Sequence, residues 1–69
     1  MSEEEQIKKI LDKAYLSGDS NWRIKSVDTV ANYGKIAIDH LLDFNERIMD
    51  DEIRRYVMTK IQEIKTKNP

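Results

Sequence analysis

The sequence predicts an all-α fold: four helices arranged as two stacked antiparallel helical hairpins. Three observations carry this expectation. Only two Gly and one Pro occur in 69 residues, too little turn material for a sandwich or barrel of short strands. Apolar residues recur at helical spacing in four segments, each with a capping residue or breaker at its ends. The chain also matches itself at an offset of 31 residues. At this length one domain is expected over residues 1–69, with a first unit at 1–34 and a second at 35–69.

The first helix is announced by Ser2 and Glu5, the spacing of a capping box, with Glu3, Glu4 and Glu5 favourably placed in the first turn. Ile7, Ile10, Leu11 and Ala14 follow as one stripe. Gly18 suits the left-handed stop, and Ser20 or Asn21 is the expected cap of the second helix. That helix is expected over 22–33, with Trp22, Val27, Val30 and Ala31 inward, ended by Gly34. The third starts near Lys35, carries Ile38, Leu41 and Leu42, and fades over 45–47. Asp50-Asp51 reads as the next cap. The fourth is expected over 52–65 with Ile53, Val57, Ile61 and Ile64 inward, and Lys65 and Lys67 near its negative end. Asn68-Pro69 is expected to fray.

Charge and composition exclude several functions. Thirteen acids and twelve bases leave a net charge of -1. Residues 1–34 hold six acids and five bases, and residues 35–69 hold seven of each. Nucleic-acid domains usually carry a strong positive excess, which is missing here. With no Cys, disulfides, thiolate zinc sites and thiol catalysis are excluded. No apolar run approaches the roughly 20 residues that span a bilayer. The acidic start is not a basic secretory leader, so a cytoplasmic location is expected. So small a chain needs efficient helix packing or a partner surface to offset its ordering entropy.

In the 31-residue alignment Ile7 falls on Ile38, Leu11 on Leu42, Asp12 on Asp43, Asp19 on Asp50 and Arg23 on Arg54. Ile10 meets Leu41, Trp22 meets Ile53, Val27 meets Met58, Val30 meets Ile61 and Tyr33 meets Ile64. These matches fall on the apolar stripes and on the corner between helices. A period in this range marks stacked helical pairs.

At these residues the chain resembles the HEAT-repeat family. Asn21-Trp22-Arg23 through Val27, Val30, Ala31 and Gly34 looks like the second helix of a HEAT unit. Ile38, Leu41 and Leu42 look like a first helix, and Asp51-Glu52-Ile53-Arg54-Arg55 looks like the acidic-to-arginine corner of such units. Trp22 departs from the usual small aliphatic residue, as do Tyr56, Val57 and Met58 from an Ala-rich run. The resemblance implies a right-handed stack with a structural Asp–Arg ladder of Asp19, Arg23, Asp50 and Arg54. It also implies a concave face lined by the second helix of each unit. Carried over, that face holds Ile24, Lys25, Asp28 and Thr29, then Arg55, Tyr56, Thr59 and Lys60, and it is the expected partner surface. Ile24 and Tyr56 lie off the inward stripes, and apolar or aromatic residues beside Arg are common interaction hot spots.

No catalytic or cofactor grouping emerges. His40 is the single histidine. Asp43, three residues on, could sit beside it, yet a solvated helix residue is the ordinary reading, and no metal or cofactor is expected. No second His activates a Ser or Thr, and the two Gly residues form no phosphate-cradling loop. The expected function is a non-enzymatic protein-interaction or scaffold module with a protein partner. It can also be a homo-oligomer, because two units are few for a repeat stack; Ile48, Met49 and Met58 are candidate sticky surface. The alternative is a small nucleic-acid-binding module that uses Arg54, Arg55, Lys60 and Lys65.

Overall fold

The computed structural model describes residues 2–67, so the expected fraying at Asn68 and Pro69 lies outside the described residues. Every element among them is helical: α1 (Glu3–Ser17), α2 (Ser20–Ala31), a 3₁₀ turn (Gly34–Ala37), α3 (Ile38–Arg47) and α4 (Asp51–Lys67). No helix is long and apolar enough to cross a membrane among the described residues.

Local chemistry sets the boundaries. The Glu5 N–H donates to Ser2 Oγ at 3.2 Å and starts α1. Gly18, at φ 70, stops it in the left-handed region that a side chain would disfavour. Asp19, rather than Ser20 or Asn21, caps α2: its Oδ1 accepts from the Asn21 N–H at 3.2 Å. This moves the start of α2 two residues ahead of the expected Trp22. α2 also closes earlier than expected, at Ala31, where the Asn32 N–H donates to the Thr29 carbonyl and the Tyr33 N–H to the Val30 carbonyl. Gly34, at φ 80, turns the chain. The third segment then begins as a 3₁₀ turn, so α3 proper starts at Ile38, not near Lys35. Asp50 Oδ1 accepts from the Glu52 and Ile53 N–H groups and opens α4 at Asp51.

The helices pack in a simple pattern. α1 lies on α2 and α3 on α4, while α1 also touches α3 and α2 touches α4. α1 and α4 occupy the far diagonal, with no close approach of their backbones among the described residues. The connections within each pair are two and three residues long, which makes sequential neighbours antiparallel. One core fills the centre, with Ile7, Leu11 and Ala14 from α1 and Val27 and Val30 from α2. Ala37, Leu41, Phe44 and Ile48 join from the third segment, and Ile53, Val57, Ile61 and Ile64 from α4. Each large side chain removed from water contributes roughly 1.5–3 kcal/mol.

Two expected inward residues point elsewhere. Trp22 is 50% exposed and Leu42 is 40% exposed. Two residues read differently from the sequence are core: Phe44 is fully buried, and Ile48, a candidate for sticky surface, is 1% exposed. Met49 and Met58 do lie exposed. The physical reason is a change of register. Ile7, Leu11 and Ala14 are buried, and so are Ala37, Leu41 and Phe44, each thirty residues further on. The corners, in contrast, repeat at 31. One residue is about 100° of helix rotation, so α1 and α3 bury different sides relative to their corners.

Candidate partner surface

The two corners are built alike. The Arg23 Nε–H donates to the Ala14 carbonyl at 3.1 Å, and its Nη2 donates to the Tyr15 carbonyl at 2.7 Å. The Arg54 Nε–H donates to the Asn45 carbonyl at 3.2 Å, and Asn45 is the 31-residue counterpart of Ala14. Each guanidinium therefore satisfies carbonyls left open at the end of the preceding helix. The Arg23 N–H meets the Asp19 carbonyl and the Arg54 N–H meets the Asp50 carbonyl, both at 2.9 Å. The expected Asp–Arg ladder is corrected by this geometry. Among the described residues neither guanidinium pairs with a carboxylate; the aspartates cap the following helices and the arginines cap the preceding ones. Both helix ends need hydrogen-bond partners, so they capture these side chains before they can reach each other.

The contact between α2 and α4 is held by a cluster around Asp28. The Tyr56 hydroxyl donates a short hydrogen bond to Asp28 Oδ1, and Lys60 Nζ sits 3.2 Å from the same oxygen. Lys60 also lies 3.6 Å from Glu63 and over the Tyr56 ring. The hydrogen bond to Asp28 raises the Tyr56 pKa above its ordinary value, and burial adds to the shift. The Lys60 pKa is raised as well, first by its hydrogen bond to Asp28, against a smaller opposing effect of burial. Beside this cluster a groove of about 540 Å³ runs between Asn32, Gly34, Lys60, Glu63 and Lys67.

α1 and α3 are joined differently. Arg47 Nη2 reaches Asp12 Oδ1 at 3.1 Å, and its guanidinium lies 5.0 Å from the centre of the Tyr15 ring. His40 Nε2 stands 3.4 Å from Glu4 Oε1, across the helix contact, instead of beside Asp43. No group of three or more potential metal ligands occurs among the described residues.

The residues of the expected partner surface are placed as follows. Lys25, Arg55 and Thr59 are exposed, on helices that touch. Ile24 is half-buried against the core, and Tyr56 is half-buried with its hydroxyl held by Asp28. Tyr56 therefore ties α4 to α2 and Ile24 packs on the core, so neither projects as a free hot-spot side chain. The Thr59 and Thr29 hydroxyls donate to carbonyls four residues back, at Arg55 and Lys25. Of the basic residues on α4, Lys60 is engaged by Asp28 and Glu63, and Arg54 by the α3 carbonyl. A second groove, of about 680 Å³, is lined by Asp51, Arg54, Arg55, Met58 and Thr59. The roles of Asp12, Asp28 and Arg47 were missed from sequence, and the 31-residue alignment offers no signal for them because they act between the units.

Comparison of the chain with protein-family models, with curated proteins and with solved structures finds no match.

Proposed function

We propose that this chain is a small HEAT-like protein-interaction module without catalytic activity, made of two stacked helical pairs. The observation that carries the reading is the duplicated corner. Arg23 on Ala14 and Arg54 on Asn45 are the same bond made twice, 31 residues apart and within 0.1 Å in length (3.1 against 3.2 Å). Asp19 and Asp50 cap the following helices in the same way. Duplicated corners fit a tandem unit better than a bundle of four unrelated helices. The order of contacts agrees: first helix on first helix, second on second, with the α1–α4 diagonal open.

Such a stack offers its partner the ridge of α2 and α4, where Lys25, Arg55 and Thr59 stand exposed beside the Tyr56–Asp28–Lys60 cluster. The cluster makes that ridge rigid, which lowers the ordering cost of binding. The test is capture of a protein partner on immobilised chain, compared with a Lys25→Glu, Arg55→Glu double variant shown by circular dichroism to remain helical. A partner held by the parent chain and lost on the double variant is the expected result. Failure to retain any protein, together with absence of self-association, would remove the reading. Retention of RNA or DNA at low salt, released as salt rises, would replace it with the basic-module alternative.

A further inference from the structure

The exposed apolar side chains fall into separate groups: Tyr15, Leu16 and Met49 gather where α1 and α3 end, while Leu42 and Met58, 40% and 45% exposed, lie elsewhere on α3 and α4. On α3, His40 and Arg47 mark the side toward α1, where they meet Glu4 and Asp12. Leu42 is two residues from His40, on the opposite side of the helix. On α4, Tyr56 and Lys60 mark the side toward α2, and Met58 lies two residues from each, again opposite. Leu42 and Met58 thus occupy the end of unit two that faces away from unit one. Trp22, half-exposed, lies well around α2 from Asp28, which marks the side toward α4. It belongs to the outer end of unit one.

Each of these residues has a counterpart in the interior. Leu42 corresponds to Leu11 and Met58 to Val27, both buried in the shared core. Trp22 corresponds to Ile53, also buried in that core. The internal junction joins one side of unit one to the opposite side of unit two. The free end of unit two therefore presents a version of unit one's half of that junction, and the free end of unit one presents a version of unit two's half. The charges are mixed. The exposed side of α3 carries Asp39, Asp43 and Glu46 and α1 carries an exposed Lys13, while Arg55 beside Met58 and Lys25 on α2 are both basic. Within the chain α1 rests on α3. A second copy that continued the stack would set its Lys13 against the first copy's α3 acids.

We propose that the chain binds a second copy of itself head to tail, the Leu42–Met58 end of one molecule receiving the Trp22 end of the next. The proposal rests on the stacked-module reading above and names its partner. The contact is heterologous and does not close by symmetry, so association grows stepwise instead of stopping at a dimer. Opposite charges around the contact make it weaker at high salt.

The test uses the full purified chain in light scattering and sedimentation over micromolar to millimolar concentration. The average mass is expected to rise continuously past that of a dimer, and to fall on adding salt. Met58→Glu and Trp22→Glu each place a charge in the contact and are expected to weaken association by about tenfold or more. Each retains one intact end, so an equimolar mixture of the two is expected to form a one-to-one dimer and nothing larger. Both positions are half-exposed, and circular dichroism checks that the fold survives; Leu42→Glu substitutes for Met58→Glu if it does not. A parent chain that stays monomeric throughout would overturn the proposal, as would a mixture that fails to dimerise. Dimerisation of Trp22→Glu alone would also overturn it, in favour of two unit-two ends meeting face to face. A monomeric chain that still captures a different protein would refute head-to-tail stacking and leave the interaction-module reading standing.

Discussion

Asn45→Ala should make this protein more stable. The Asn45 side-chain oxygen is buried without a hydrogen-bond partner, the one such side-chain atom among the described residues. A buried polar group left unpaired costs about 1–3 kcal/mol. Alanine removes that group and gains at most about 0.6 kcal/mol of helix propensity, less than at a central position because Asn45 stands in the last turn of α3. Against these stands the loss of packing from the removed atoms, about 1 kcal/mol for a side chain only partly enclosed. The Arg54 corner survives, because its bond goes to the Asn45 main-chain carbonyl. The net expectation is a gain of about 1 kcal/mol. For 69 residues the unfolding entropy is roughly 145 cal/mol/K, so the gain corresponds to a rise in Tm of about 7 °C.

The reciprocal change sharpens the test. Ala14, the counterpart in unit one, is fully buried, and its carbonyl accepts from Arg23 just as that of Asn45 accepts from Arg54. Ala14→Asn forces an amide into the core and should cost about 2–4 kcal/mol from desolvation, propensity and crowding together. That is a large share of the roughly 3–10 kcal/mol expected for a domain of this size. Thermal and urea unfolding followed by circular dichroism measure both variants, with an unchanged urea m-value as the check on the reference state. A lower Tm for Asn45→Ala would refute the reasoning, because the Asn45 amide would then be contributing a bond.

Phe44→Ala opens the largest hole a single change can make here, since Phe44 is the biggest fully buried side chain. It should cost about 3–5 kcal/mol, seen as a non-cooperative urea transition or as dye binding to exposed apolar surface. Gly18→Ala should cost about 1 kcal/mol although nothing lies within 4 Å of the added Cβ, because φ is 70; Gly18→Asn should cost less, and equal Tm values for all three residues would contradict the backbone argument. The Asp28 cluster contributes to the loss of stability at alkaline pH. Tyr56 and Lys60 bind their protons more tightly folded than unfolded, so their contribution is complete below their ordinary values of 10.0 and 10.5. It is lost as pH rises through the higher folded-state values. Tyr56→Phe should lower stability by about 1 kcal/mol at neutral pH. It should also flatten part of the decline above about pH 10, read from Tm against pH; an alkaline profile identical to that of the parent would exclude the cluster as its cause.

What the sequence made legible was local. Ser2, Gly18 and Asp50 act within three or four residues of themselves, so each could be placed without knowing the rest of the fold. The Ile7–Leu11–Ala14 stripe was legible for the same reason, since α1 has only one strongly apolar side. α3 was harder. Its apolar residues Ile38, Leu41, Leu42, Phe44 and Ile48 wrap over more than one side, and only the position of α1 decides that Leu41, Phe44 and Ile48 enter the core while Leu42 does not. Asp28, Tyr56 and Lys60 were placed on one face from sequence, but as a partner surface; that they bond to each other shows only when α2 and α4 are brought together.

On the proposed reading of two helical pairs, the mismatch between the two offsets has a physical cause. A helix end must satisfy its open main-chain groups wherever the unit stands, so the Asp caps and Arg corners keep the same positions in both copies. Burial is different. On the proposed reading, the α1–α2 pair and the α3–α4 pair meet each other through opposite sides. The buried stripe of α3 must then rotate relative to that of α1 while the corners stay fixed, which is what Ala37, Leu41 and Phe44 do against Ile7, Leu11 and Ala14. Trp22 at one end and Leu42 with Met58 at the other retain apolar surface where nothing inside the molecule requires it.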